Sequence, residues 1–119
     1  MKDKLPRKIE KPWGFELLFA RTPKYTGKLI FVRGGHSLSL HYHKKKDESM
    51  YLYKGKALIE TEGSDGQLVQ PGYCFRVPPL TKHRLKALGD TTLFEVSTPE
   101  LEDIERLEDD YGRAKPIDS

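Results

Sequence analysis

The chain has 119 residues, of which 36% are hydrophobic and 33% are charged, and its formal net charge is +3. This length suits one domain with a real core and is short for two. No apolar run reaches the length of a membrane-spanning helix, and the first eleven residues lack the apolar stretch of a secretory signal. The modest charge comes without a nucleic-acid recognition motif. We therefore expect neither a membrane nor a nucleic acid as partner.

Cysteine usage points to the cellular compartment. The chain has one cysteine, Cys74, so no internal disulfide can form. This is typical of a protein of the reducing cytoplasm, where we expect this chain to work. Since Cys74 stands in the apolar string YCFRV, we expect its thiol to be buried.

Short strand-like segments follow one another along the chain. Each is rich in β-branched, aromatic or leucine residues, and turn signals such as Gly34-Gly35 and Pro71-Gly72 separate them. They cover residues 13–20, 27–33, 37–43, 49–54, 56–62, 73–77, 83–88 and 92–97. Eight short strands at regular spacing predict an all-β, single-domain antiparallel sandwich or barrel.

The C-terminal segment has a different pattern. Thr98 is a good capping residue before Pro99, and apolar residues at 101, 104 and 107 follow at three-residue steps. This pattern predicts a short C-terminal helix or turn. The resulting domain division is an N-terminal extension over 1–12, a barrel over 13–113 and a tail over 114–119.

The segment SLSLHYH carries the first functional signal. In a strand its side chains alternate, so Ser39, His41 and His43 face one side. Glu48 opens the next strand and can point back to the same place. Neutral imidazoles with a carboxylate suit a divalent transition metal, whereas His-x-His alone is more typical of a solvated face.

The wider spacing favours the metal site. Gly35, His41, His43, Glu48 and Gly55 keep the spacing of the first cupin motif, which the chain thus resembles. The second cupin motif is matched by Gly72, Pro78 and His83, although Leu80 replaces a loop glycine and Ala87 a terminal asparagine. The resemblance implies a cupin jelly roll. It also implies one divalent metal (Zn, Mn, Fe, Ni or Co) with these ligands: His41, His43, Glu48 and His83.

Further strings resemble the cupin domain of type II phosphomannose isomerases. They are Lys11-Pro12-Trp13-Gly14, residues 81–85 (TKHRL) and residues 107–113 (LEDDYGR). The resemblance implies carbohydrate metabolism and an aldose–ketose isomerase acting on mannose 6-phosphate or a similar anionic sugar. The chain departs from the family pattern at Lys46, where an arginine is usual, at His41 in place of a glutamine, and at Ser49-Met50 in place of His-Trp.

The isomerase hypothesis assigns roles to a carboxylate and several cations. Glu95 aligns with a family acid and is our candidate base, unless it is an outward-facing strand residue. Lys46 is a candidate for both catalysis and phosphate binding, although a solvated loop is the alternative for most of the Lys44–Lys46 run. The remaining phosphate-binding candidates at the cavity mouth are Lys82, Arg84 and Arg76.

Two other functions fit the same residues. One is a non-catalytic cupin that binds a sugar or nucleotide sugar, which the departures at Lys46 and Ser49 favour. The other is a metal-dependent cupin dioxygenase, because three histidines and one glutamate are also the ligand set of those enzymes. Tyr51 and Tyr53 share a strand face opposite Glu48, which suggests a sheet or dimer contact. We expect a homodimer formed through strand edges.

Overall fold

The computed structural model describes residues 4–62, 64–100 and 104–113, which form eleven β-strands and no helix. The strands are β1 (Arg7–Lys11), β2 (Gly14–Arg21), β3 (Thr26–Val32), β4 (Leu40–His43), β5 (Glu48–Lys54), β6 (Ala57–Thr61), β7 (Gln67–Val69), β8 (Cys74–Val77), β9 (His83–Ala87), β10 (Thr91–Ser97) and β11 (Ile104–Glu108). The described residues contain no long apolar helix that could cross a membrane.

Two antiparallel sheets build the molecule. One has six strands in the order β1-β2-β3-β10-β5-β8, and the other has five in the order β11-β4-β9-β6-β7. All eight strands predicted from the sequence are present, within a few residues of their expected ends. The predicted all-β antiparallel class is confirmed, and β1, β7 and β11 are additional strands.

The core lies between the two sheets. On β5 the inward side chains Met50 and Leu52 are buried, whereas the alternate Tyr51 and Tyr53 face outward. Burying a leucine side chain contributes about 1.5–3 kcal/mol. The buried apolar cluster consists of Trp13, Ile30, Val32, Met50, Leu52, Ala57, Ile59, Val69, Leu85, Ala87 and Leu93.

The helix predicted in the C-terminal segment is wrong for residues 104–108, which form β11; residues 101–103 lie outside the described residues. Ile104 pairs with His43 and Arg106 with His41 along the free edge of β4. Ladder hydrogen bonds along that edge satisfy backbone groups of both strands, which outweighs the local helical pattern. The strand brings the C-terminal segment directly beside His41 and His43, two of the predicted metal ligands.

Two backbone positions explain features of the sequence motifs. Gly55 has a φ of +105°, and a Cβ there would lie 2.3 Å from the Asp90 carbonyl oxygen, so only glycine fits this turn. Leu80, which replaces a motif glycine, has a φ of 67° and a side chain that is 63% exposed. A leucine therefore occupies a left-handed conformation that glycine adopts at lower cost.

Cys74 differs from the prediction. Its side chain is exposed, because it lies on the outward side of β8, the edge strand, opposite Tyr51. An outward position on an edge strand leaves the thiol open to solvent.

Candidate metal and substrate site

Three strands bring the predicted metal ligands together. His41 and His43 lie on β4, Glu48 begins β5, and His83 begins β9, where it pairs directly with His41. All four side chains are buried, and one potential ligand atom from each lies within 4.8 Å of the others. We call these four residues the metal cluster.

Hydrogen bonds from Nδ1 to backbone carbonyl groups orient two of the imidazoles. The Nδ1 atom of His41 donates to the Ser39 carbonyl oxygen at 2.9 Å, and the Nδ1 atom of His83 donates to the Thr81 carbonyl oxygen at 2.9 Å. A carbonyl can only accept, so each Nδ1 carries the proton and each Nε2 keeps a free lone pair. This tautomer is the one that a metal-binding histidine needs.

Two buried polar atoms of the metal cluster have no hydrogen-bond partner among the described residues. Glu48 Oε1 and His83 Nε2 are 3.2 Å apart, and both are buried without a hydrogen-bond partner among the described residues. A buried polar atom left unsatisfied costs about 1–3 kcal/mol. A divalent cation between them would satisfy both, and three imidazoles with one carboxylate suit a transition metal. The residues therefore fit a bound metal ion.

Protonation states also suit metal binding. Burial, and next the proximity of His83, lower the pKa of His41 to about 3, so its imidazole is neutral at pH 7. Burial alone would raise the pKa of Glu48, but His83, Lys46 and His43 together hold it well below its ordinary value. The cluster thus offers a neutral imidazole and an ionised carboxylate.

Lys46 and Glu95 form a buried ion pair beside the metal cluster. Lys46 Nζ lies 3.1 Å from Glu95 Oε2 and 3.6 Å from Glu48 Oε2, and all three side chains are buried. Burial favours neutral Lys46, but Glu95 and Glu48 outweigh it and raise the pKa of the lysine. Lys46 is thus not part of a solvated loop.

Glu95 faces the interior from the middle of β10. It is 3% exposed, so the outward-facing alternative is excluded, and Ser97 Oγ donates to its Oε2 at 3.2 Å. Burial, and next the charge of Glu48, raise the pKa of Glu95 to about 7. This carboxyl group is a buried titratable neighbour of the metal cluster that is not itself a ligand candidate.

The metal cluster and Glu95 line one cavity of about 470 Å³. Its wall also carries cations that the sequence patterns did not single out as binding residues: Arg7, Lys11, Lys28, Arg106 and Arg113. Contacts among the described residues balance part of this charge, for example the Lys28–Glu16 contact at 3.1 Å. Within the described part of the chain, the cavity is therefore basic on the side of β1 and β11.

Burial and neighbouring positive charges shift the pKa values of cations on the basic side of the cavity. Burial, followed by the charge of Arg113, lowers the pKa of Arg106, and burial also lowers the pKa of Lys11, with Lys28 adding to the effect. The Nε atoms of Arg106 and Arg84 are buried without hydrogen-bond acceptors among the described residues. We call Lys11, Arg84, Arg106 and Arg113 the cation cluster. Such donors fit an anionic ligand.

The four predicted phosphate-binding cations separate into two groups. Lys46 and Arg84 line the cavity, and Arg84 Nη1 also contacts Glu108 at 3.7 Å. Among the described residues, neither Arg76 nor Lys82 is part of the cavity wall. Arg76 is exposed and pairs with Asp47 at 2.7 Å, and Lys82 is half-exposed beside Glu62.

Sequence signals exist for two of the missed cations. Lys11 opens the string KPWG, and Arg113 ends the string LEDDYGR, both of which carry the family resemblance. Arg113 is held in place by Asp109, whose carboxylate accepts two guanidinium hydrogen bonds at 2.9 Å. These strings place charged residues at the cavity.

Comparison with known proteins agrees with the fold and the motifs. The chain matches the family described as mannose-6-phosphate isomerase C-terminal over residues 2–109. It is 32% identical over 112 residues to the xanthan biosynthesis protein XanB of Xanthomonas campestris strain B100, covering 90% of this chain and 24% of XanB. The chain thus spans about a quarter of the length of the curated relatives that it matches.

Solved structures share the architecture at lower identity. KdgF from Halomonas sp. superposes with a TM-score of 0.74 at 24% identity, over 82% of this chain and 89% of that one. An RmlC-like cupin from Shewanella frigidimarina superposes with a TM-score of 0.73 at 16% identity, over 83% of this chain and 88% of that one. The solved structures thus share the cupin fold, and the family match over nearly the whole chain shows that this chain belongs to the mannose-6-phosphate isomerase C-terminal family.

Proposed function

We propose that the chain binds one divalent transition metal and isomerises an aldose phosphate such as mannose 6-phosphate to its ketose. The observation that carries the proposal is a single cavity that contains the metal cluster, a buried carboxylate and the cation cluster. The family membership supports the same substrate class. Each part of the cavity has a distinct task in this reaction.

The cation cluster would hold the phosphate group. A phosphate oxygen can accept from the guanidinium groups of Arg106 and Arg84, which line the cavity, and Lys11 and Arg113 add positive charge on the same wall. Hydrogen bonds between charged groups are about twice as strong as neutral ones. The phosphate would thereby fix the position of the sugar carbons relative to the metal cluster.

Glu95 is the proposed base. In the reaction the hydrogen on C2 moves to C1, and the hydroxyl proton on O2 moves to O1, so one carboxylate can accept and return the carbon-bound proton. A bound metal would stabilise negative charge on the sugar oxygens as a Lewis acid. Lys46 holds the Glu95 carboxylate at 3.1 Å and would keep it directed at the cavity.

A second candidate is a non-catalytic binder of a sugar phosphate or nucleotide sugar. The Lys46–Glu95 ion pair favours it, because the buried ammonium group contacts the carboxylate and opposes the rise in its pKa that burial and Glu48 cause. A dioxygenase with a hydrophobic substrate is less favoured, since such a substrate would leave the cation cluster without a partner.

The test is a coupled assay that measures fructose 6-phosphate formed from mannose 6-phosphate. We expect Glu95→Gln to lower kcat by about 10²–10⁴-fold, the range for loss of a general base, with unchanged metal content. The matched control is Glu60→Gln. Glu60 lies on β6, is not part of the described cavity wall, and pairs with Lys86 of β9. Full activity of Glu95→Gln would contradict the assigned base, and binding without turnover by the unaltered protein would support the second candidate.

A further inference from the structure

The outer face of the six-stranded sheet is apolar across four neighbouring strands, β2, β3, β10 and β5. Leu17 lies opposite Leu29, Leu29 opposite Phe94, and Phe94 opposite Tyr51, so one continuous row crosses the sheet. We call the outward-facing apolar residues the aromatic face: Phe15, Leu17, Phe19, Leu29, Phe31, Tyr51, Tyr53, Phe94 and Val96.

Burial of these side chains is incomplete. Phe19 is 46% exposed, Tyr51 42%, Tyr53 57% and Val96 59%. A sheet that packs on its inner side normally presents polar residues on its outer side. In this described part of the sheet, the outward positions between the strand ends carry no charge, and Ser49 and Thr92 are polar but neutral. The outer side of these four strands thus has the apolar composition of a surface that is buried against another protein layer.

Charged residues of both signs border the aromatic face. On β1, Lys8 pairs with Glu10 at 3.3 Å and lies 4.4 Å from the Phe15 ring centre. At the opposite edge, Arg76 pairs with Asp47 at 2.7 Å. An apolar centre within a charged border is the usual composition of a protein interface. Because each border has both signs, two copies can meet without net repulsion.

The size of the face fits a dimer. An aromatic side chain offers about 150–250 Å², so the half-exposed Phe19, Tyr51 and Tyr53 leave about 300 Å² open. Val96, at 59% exposure, and the charged border extend this open area, and each partner of a stable complex buries roughly 800 Å². Pairing through the β1 edge is disfavoured, because its sequence RKIEK is strongly charged.

We propose that two copies of this chain pack against each other through the aromatic face, with twofold symmetry. A twofold interface uses the same patch on both copies, which suits a face with matching borders. Glu95 and Lys28 point to the opposite side of the same sheet, into the cavity. The dimer therefore leaves the cavity free, and the proposal is independent of the proposed function.

Sedimentation velocity of the full chain tests the proposal at micromolar concentration. We expect a dimer for the unaltered protein, and a dissociation constant raised on the order of 100-fold or more in Tyr51→Glu and Val96→Glu, because each carboxylate would be buried unpaired. Leu68→Glu is the matched control, since Leu68 is 49% exposed on β7 of the other sheet, and it should remain dimeric.

A second measurement detects the dimer directly in protein whose aromatic face is unaltered. Cys74 is the sole cysteine and borders the aromatic face opposite Tyr51. A nitroxide attached to it should show dipolar coupling between copies, which Leu68→Glu retains and Val96→Glu loses. A monomeric unaltered protein, or a dimer that both face variants preserve, would overturn the proposal.

Discussion

The metal cluster combines residues that are costly to bury unless a ligand joins them. Glu48 carries a charge at 2% exposure, and its Oε1 atom lacks a hydrogen-bond partner among the described residues. Lys46 balances the charge through Oε2, but not the open position at Oε1. Burying an ion without full compensation costs several kcal/mol, so we interpret the cluster as built for a cation.

We expect His43→Ala and His83→Ala to lose the bound metal while the barrel stays folded. Removing one of four ligands leaves a site with too few donors to hold a divalent ion against water. Elemental analysis of purified protein gives the metal content directly. His36→Ala is the control, because His36 is the fourth histidine and contacts Tyr111 outside the metal cluster. Equal metal in the unaltered protein and in the His43→Ala, His83→Ala double variant would refute the ligand set.

We expect Lys11→Gln and Arg106→Gln to weaken mannose 6-phosphate binding by roughly tenfold or more each. A charge-assisted hydrogen bond contributes about 1–3 kcal/mol, and 1.4 kcal/mol corresponds to a factor of ten in affinity. The affinity should also fall with added salt, because partly solvated cations supply the attraction. Titration calorimetry on metal-loaded protein measures both effects.

Arg76→Gln is the control for the cation cluster, because Arg76 pairs with Asp47 outside the cavity. It should bind mannose 6-phosphate like the unaltered protein. Plain mannose should bind all of these proteins weakly. If the plain and phosphorylated sugars bind with equal affinity, the phosphate-binding role of the cation cluster is wrong.

Three of the four proposed metal ligands were predictable because they are close in sequence, whereas His83 followed only from the resemblance to the second cupin motif. His41, His43 and Glu48 lie within eight positions, and strand alternation alone places the histidines on one side. Most of the cation cluster was not predictable in this way. Lys11 and Arg106 are 95 positions apart and meet only because β1 and β11 both border the cavity. No local pattern contains that information.

The strands also differ in how clearly the sequence predicts them. The predicted strands have apolar runs, whereas β1 has the sequence RKIEK with one apolar residue and β7 is only three residues long. In β11 the apolar spacing imitated a helix, but the open edge of β4 provides ladder partners for Ile104 and Arg106. Edge strands that depend on a neighbour for their hydrogen bonds leave a weak signal in the sequence.

The turn after β8 offers a stability test. Leu80 holds a φ of 67°, and a left-handed conformation costs a residue with a Cβ about 1–2 kcal/mol, compared with about 0.5–1 kcal/mol for the extra entropy that glycine loses. Since the Leu80 side chain is mostly exposed, we expect Leu80→Gly to raise the free energy of unfolding by about 0.5–1 kcal/mol. Urea unfolding measures the change.

The matched control is Leu88→Gly. Leu88 is 56% exposed and is not among the described residues with positive φ, so glycine there should lower stability by about 0.5–1 kcal/mol. A loss of stability in both variants would show that the left-handed turn at Leu80 carries no strain that glycine can relieve.

Taken together, the two sheets separate two surfaces of different chemistry. The six-stranded sheet carries Glu95 and Lys28 on its inner side and the aromatic face on its outer side. The five-stranded sheet supplies the three histidines of the metal cluster from β4 and β9. The cavity between them is lined by the Glu95 carboxylate, the metal cluster and the cation cluster. The proposed isomerisation would use all three.

The decisive measurement is nuclear magnetic resonance of mannose 6-phosphate in deuterated water with metal-loaded protein. Proton transfer between C1 and C2 through an exchangeable carboxyl group predicts that fructose 6-phosphate appears and that deuterium enters at C2 of the aldose and C1 of the ketose. Glu95→Gln should show neither signal. If mannose 6-phosphate binds while its spectrum stays unchanged, with no ketose and no deuterium, the cavity is a binding site and the isomerase proposal is wrong.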